Sequence, residues 1–124
     1  MKNPQVLVSI VDDDESIRES LPDLLKVLGV ASQTFSSAEE FLAKDGMSAS
    51  KCLILDVAMP GMRGPELQEE LNRLKCTIPI IFITGHRDEK LTSRLIGQGA
   101  VACLIKPFSE EAMIEALNLA LRVR

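Results

Sequence analysis

A chain of 124 residues is the size of one domain and can bury a core without disulfides or a structural metal. Hydrophobic residues make up 46% and charged residues 26%, while Trp and Tyr are absent, which excludes disordered and fibrous classes and rests the core on Leu, Ile, Val and four Phe. The net charge of −4, with no Lys or Arg cluster among aromatics, excludes nucleic-acid binding by this segment; no stretch is apolar enough to span a bilayer or to open the chain as a signal, so a soluble, cytoplasmic protein without membrane contact is expected. Cys52, Cys76 and Cys103 have neither paired nor CxxC spacing and read as reduced, small buried hydrophobes.

Gln5 to Val11 reads as a first strand that stops at Asp12-Asp13-Asp14-Glu15. Leu21, Leu24, Leu25 and Leu28 recur at helical spacing, with Asp14, Glu15 or Ser16 available as a cap and Gly29 as a stop. Pro22 lies well past the first turn, where it removes a donor and crowds the Arg18 carbonyl, so a kink or a loosened first turn is expected. Val30 to Phe35 is a second strand, and Ser36 or Ser37 caps a helix over Ala38 to Ala43 that Asp45-Gly46 closes.

Lys51 to Asp56 is a short apolar run that ends abruptly on a carboxylate, before a loop built on Pro60, Gly61 and Gly64. It reads as a strand buried on both faces, with Asp56 at its C-terminal end, open to water and ligands. Pro65 opens a third helix with an expected inward stripe of Leu67, Leu71 and Leu74. Ile78 to Ile83 is a fourth strand, with Pro79 tolerated near its start, and it ends at Thr84-Gly85. Glu89 to Ile96 forms a short fourth helix stopped by Gly97 or Gly99, and Val101 to Ile105 a fifth strand that ends at Lys106-Pro107. Ser109-Glu-Glu-Ala caps the fifth helix, lined by Met113, Ile114, Leu117, Ala120 and Leu121. Five successive strand-helix units predict an α/β fold, a parallel sheet joined by right-handed crossovers with helices on both faces.

Four strands therefore finish on a group with chemistry: Asp12 and Asp13, Asp56, Thr84 and Lys106. Taken singly, each has an ordinary explanation, as a helix-start acid, a turn hydroxyl or a solvated loop lysine. In a parallel sheet, however, all these ends share the carboxyl edge where open α/β sheets bind ligands. Three carboxylates brought together repel, and they raise one another's pKa or share a cation. Mg²⁺ suits a site with oxygen ligands and no His or Cys. Asp56 can then act as a nucleophile toward phosphorus, with Thr84 as a hydrogen-bond donor and Lys106 as a point charge, giving an aspartyl phosphate.

The segments Ile-Val-Asp12-Asp13-Asp-Glu, Leu-Ile-Leu-Asp56-Val-Ala-Met-Pro60-Gly-Met-Arg-Gly64, Ile-Ile-Phe-Ile-Thr84-Gly85 and Leu-Ile-Lys106-Pro107-Phe108 resemble a response regulator receiver domain of two-component signalling. The resemblance spans residues 1–124 and is greatest to receivers attached to LuxR-type helix-turn-helix transcription regulators. It implies a single doubly wound, flavodoxin-like sheet of five parallel strands in the order 2-1-3-4-5. It also implies that Asp56 is the phosphoacceptor, that Asp13 and Asp56 bind Mg²⁺ directly with the Ala58 carbonyl, and that Asp12 acts mostly through water. Thr84 and Lys106 would hold the phosphoryl oxygens, and the Lys106-Pro107 bond would be cis. A sensor histidine kinase would be the donor, and the output domain, DNA-binding and C-terminal to this chain, would be regulated through the face of the fourth helix, fifth strand and fifth helix. That face would also support a phosphorylation-dependent homodimer. The chain is expected to be the N-terminal domain of a longer regulator.

Two positions depart from the family's pattern. Cys103 stands where an aromatic residue is usual, so signalling is expected to rely on movement of the Thr84 to Gly97 segment. Pro22 lies in the helix that typically meets the kinase. His86 invites a water-orienting role in dephosphorylation, against the plainer reading of an exposed loop residue. As functional alternatives, a Mg²⁺-dependent phosphohydrolase resembling the haloacid dehalogenase group would need a second Asp where this chain has Ala58. A pure interaction module would not need Asp12, Asp13, Asp56, Thr84 and Lys106 together. A non-enzymatic switch that catalyses only its own phosphorylation and dephosphorylation is therefore expected.

Overall fold

A computed structural model describes residues 7–122. Its strands are β1 (Leu7–Val11), β2 (Ala31–Phe35), β3 (Cys52–Asp56), β4 (Ile80–Thr84) and β5 (Ala102–Ile105). The helices are α1 (Glu15–Val27), α2 (Ala38–Ala43), α3 (Gly46–Ala49), α4 (Gly64–Arg73), α5 (Glu89–Gly97) and α6 (Glu110–Arg122). All five strands are parallel in the order β2-β1-β3-β4-β5, the doubly wound arrangement expected from the sequence.

Alternation along the central strands sorts the side chains into two cores. Val8 and Ile10 of β1, Ile54 of β3 and Ile81 and Ile83 of β4 pack with Leu21 and Leu25 of α1 and Met113 and Leu117 of α6. Val11, Leu53, Leu55 and Phe82 face the other way, onto Phe41 of α2, Leu67 and Leu71 of α4 and Leu95 of α5. Both faces of β3 and β4 are therefore covered, which explains their unbroken apolar runs. Each fully buried Leu, Ile or Phe contributes about 1.5–3 kcal/mol.

The helix ends follow their caps. Asp14 accepts the Ser16 N–H, Ser37 that of Glu40, Asp88 that of Leu91 and Ser109 that of Ala112.

α1 spans Glu15 to Val27 with Pro22 inside it, and buried Leu21 and Leu25 anchor it to the sheet on either side of the missing donor. Several other expectations are corrected. Leu74 is 42% exposed as the C-terminal cap of α4, and the buried residue beside Leu67 and Leu71 is Gln68. β4 starts at Ile80, leaving Ile78 and Pro79 before it. Gln5 and Val6, expected in the first strand, lie outside the described residues. After α2 the chain makes a further turn, α3, entered through Asp45 at φ 55°. Gly46 starts that turn directly under the Phe41 ring, where a Cβ would collide with the ring.

Cys52 is fully buried, and burial pushes its thiol up to about 12. At pH 8 an aromatic disulfide reagent is expected to modify half-buried Cys76 and Cys103 in the folded protein and Cys52 only on unfolding. Equal native reaction rates for all three thiols would contradict this packing.

Candidate functional site

The sheet register brings the chemistry to one edge. Val11 pairs with Leu55 and Asp56 with Ile83, while Thr84 pairs with Ile105. Asp12, one step beyond β1, therefore stands on the strand beside Asp56, while Lys106, one step beyond β5, lies on the far side of β4 and approaches Asp56 with its long side chain. The strand pattern continues past these ends: the Asp12 N–H donates to the Phe35 carbonyl (3.1 Å), that of Val57 to Ile83 (2.9 Å) and that of Lys106 to Thr84 (2.7 Å).

Carboxylate oxygens of Asp12, Asp13 and Asp56, one from each, lie within 4.8 Å of one another. Asp12 and Asp56 are buried and Asp13 is exposed, so the group opens to solvent on one side. Lys106 Nζ lies 3.1 Å from Asp12 Oδ2 and 3.6 Å from Asp56 Oδ1. The Lys106-Pro107 peptide is cis, as the family resemblance implied. Asp12 Oδ1 accepts the Asp14 N–H (2.9 Å), whereas Asp12 Oδ2 faces the lysine without the alignment of a hydrogen bond.

The electrostatics are those of a crowded acidic cluster. Burial raises Asp56 most, the Asp12 and Asp13 charges add to it, and Lys106 opposes them without cancelling them, leaving a pKa of about 7. Burial alone would lower Lys106, but its pairing with Asp12 and Asp56 outweighs that and holds the ammonium above its ordinary value. One ammonium shared by two buried carboxylates leaves the cluster short of positive charge. The donor set is all oxygen, and its buried Asp12 Oδ2 is ion-paired with Lys106 but makes no aligned hydrogen bond, so it fits a hard divalent cation such as Mg²⁺.

Thr84 sits at the same edge, but its hydroxyl is engaged with the following loop. It accepts the His86 N–H (3.2 Å) and donates to the His86 carbonyl (3.3 Å). Ala58 is exposed on the loop two residues beyond Asp56. His86 itself is exposed, and the bonds that join it to Thr84 are made by its backbone. Cys103 is half-buried beside α5, where the Thr92 hydroxyl donates to its sulfur (3.6 Å).

Sequence reasoning missed the groups that hold the loop after β3. Glu39, at the start of α2, accepts the Met62 N–H with Oε2 (2.8 Å), and Gly61 turns the loop at φ 75°. Glu66 accepts the Arg63 N–H (2.8 Å), closing the entry to α4. Glu39 was legible only as a helix-start acid, since its loop partner lies 23 residues away.

This edge site on a 2-1-3-4-5 sheet has the architecture of a receiver domain. Residues 8–118 match the model of the response regulator receiver domain, and the chain belongs to that family, the receiver domains of two-component response regulators. Over 123 residues it is 42% identical to response regulator protein TmoT of Ectopseudomonas mendocina, covering 99% of this chain and 56% of that protein. Over 113 residues it is 42% identical to the transcriptional regulatory protein FixJ of Rhizobium meliloti (strain 1021), covering 91% of this chain and 55% of FixJ. The crystal structure of FixJ-N superposes with a TM-score of 0.86 at 39% identity, covering 100% of this chain and 98% of that one. The chain spans about half the length of the curated relatives it matches.

Proposed function

We propose that this receiver is a phosphorylation switch in which Asp56 accepts a phosphoryl group from the phosphohistidine of a sensor kinase. The observation that supports this most is the placement of Asp56 at the end of β3, buried against Asp12 and 3.6 Å from Lys106. An Asp56 oxygen forms the new bond to phosphorus as the donor's P–N bond breaks, and the imidazole leaves with the electron pair. Lys106 turns from its carboxylates to a phosphoryl oxygen, and the Thr84 hydroxyl exchanges His86 for another. Asp12, Asp13 and Asp56, with the Ala58 carbonyl, would hold Mg²⁺, which supplies positive charge against the phosphoryl oxygens. The chain acts on itself alone and is not a turnover enzyme.

The switch follows from the Thr84 bonds. When the hydroxyl leaves His86, the loop into α5 loses its tie to β4, and the Thr84 to Gly97 segment moves. Cys103 stays inward in both states and keeps α5 against β5 through Thr92. The α5-β5-α6 face then carries the signal, to a second copy or to a LuxR-type DNA-binding output domain, in the cytoplasm. The regulatory names of the relatives support a transcriptional output.

Incubation with ³²P-acetyl phosphate tests the reading. Label is expected to be incorporated with Mg²⁺, to be lost with EDTA and to be released by hydroxylamine, as an acyl phosphate requires. Label that survives hydroxylamine would place the phosphate on a hydroxyl and overturn it.

A further inference from the structure

The loop between β3 and α4 carries Ala58 near its start, where exposed Ala58 and Pro60 flank buried Met59. Past Met59 the chain reverses at Gly61, φ 75°, and the next N–H, that of Met62, is donated to Glu39 Oε2 at 2.8 Å. The approach is close, since a Cβ on Gly61 would stand 2.6 Å from that same oxygen. Glu39 belongs to the first turn of α2, which the Ser37 cap closes and which fully buried Ala38 and Phe41 anchor to the core. Among the described residues Glu39 makes no salt bridge, so its carboxylate serves the loop. Glu66 accepts the Arg63 N–H beyond the turn and holds the entry to α4, leaving the turn itself to Glu39.

We propose that Glu39 is a positioning residue for the cation site, pinning the loop at Met62 so that the Ala58 carbonyl is set in advance for Mg²⁺ in preference to Ca²⁺. The inference rests on the reading of Asp12, Asp13, Asp56 and the Ala58 carbonyl as a Mg²⁺ site. Mg²⁺ demands near-ideal octahedral geometry at short distances, whereas Ca²⁺ accepts more ligands at longer and more variable distances. An unpinned loop has to be ordered when the ion binds, which weakens binding. It also offers its carbonyl at a spread of positions, which the larger ion tolerates and the smaller does not. The negative charge of Glu39, by contrast, attracts both divalent ions alike. The ratio of the two affinities therefore separates positioning from simple attraction.

Mg²⁺ and Ca²⁺ titrations of the ¹⁵N-labelled chain, read on the backbone amides of Asp13 and Val57, compare the wild type with Glu39→Ala and Glu39→Gln. Glu39→Ala is expected to weaken Mg²⁺ binding about tenfold and Ca²⁺ binding by less than about threefold. The amide oxygen of Glu39→Gln still accepts the Met62 N–H, so this variant should keep the wild-type ratio of the two affinities. Without metal, the Met62 amide should exchange with solvent about tenfold faster in Glu39→Ala than in the wild type. An unchanged affinity ratio or unchanged Met62 exchange in Glu39→Ala would overturn the role of Glu39 alone, as would an equal loss of the ratio in Glu39→Gln. A wild type that binds neither ion would overturn the Mg²⁺ reading and this role with it.

Discussion

Without divalent cations at pH 8, Asp56→Asn is expected to be more stable than the wild type by about 2–4 kcal/mol, since each pH unit between the unfolded and folded pKa values is worth roughly 1.4 kcal/mol. The reason is the pKa of Asp56, raised from 3.8 to about 7 by burial and by the charges of Asp12 and Asp13. A carboxyl with a raised folded-state pKa supports folding while it is protonated. That contribution is complete below about pH 4 and is lost as pH rises through about 7. Asn removes the charge, keeps the shape and leaves Lys106 paired with Asp12 at 3.1 Å. The wild type should therefore lose stability from pH 4 to pH 8 along a slope that the variant lacks, as urea melts at several pH values would show. Saturating Mg²⁺ should narrow or reverse the gap, because it binds the folded wild-type cluster more tightly. A variant that melts below the wild type at pH 8 without metal would mean that Asp56 is satisfied by Lys106 and that the cluster carries no excess charge.

Gly64→Ala should cost about 3 kcal/mol and lower the melting temperature by about 10 °C or more. Gly64 begins α4 against the end of β3 and donates its N–H to the Val57 carbonyl (3.1 Å). A Cβ there would collide with the Asp56 carbonyl oxygen and crowd the Val57 Cα at 3.1 Å. These are backbone atoms and cannot rotate away, so the variant must displace either the helix or the strand end that carries Asp56. Phosphorylation should slow along with the loss of stability. Gly97→Ala, where nothing lies within 4 Å of the added carbon, is the control and should be nearly neutral. Equal melting temperatures for the two variants would show that the α4 entry is looser than its contacts require.

The sheet was legible because its signals are local. An apolar run such as Leu53-Ile54-Leu55 can be buried on two faces only as a covered parallel strand, and each run stops on a polar group that marks the edge. The cluster was legible for a related reason: parallel strands in register set Asp12 beside Asp56, and a lysine at the same edge on β5 is long enough to reach both past β4. Long-range partners were not. Glu39 looks like any acid at the start of a helix until Met62 is folded onto it, and Gln68 hides in the stripe that Leu67 and Leu71 define while Leu74 turns to solvent. The orientation of the Thr84 hydroxyl toward His86 depends on a loop whose path no spacing encodes.

Intact-mass analysis after incubation with Mg²⁺ and acetyl phosphate, followed by peptide mapping, tests the central claim most directly. The wild type is expected to gain the mass of one phosphoryl group, located at Asp56, while Asp56→Asn gains none and Lys106→Ala gains it more slowly or not at all. No gain by the wild type, or an equal gain by Asp56→Asn, would contradict the assignment of Asp56 as the phosphoacceptor.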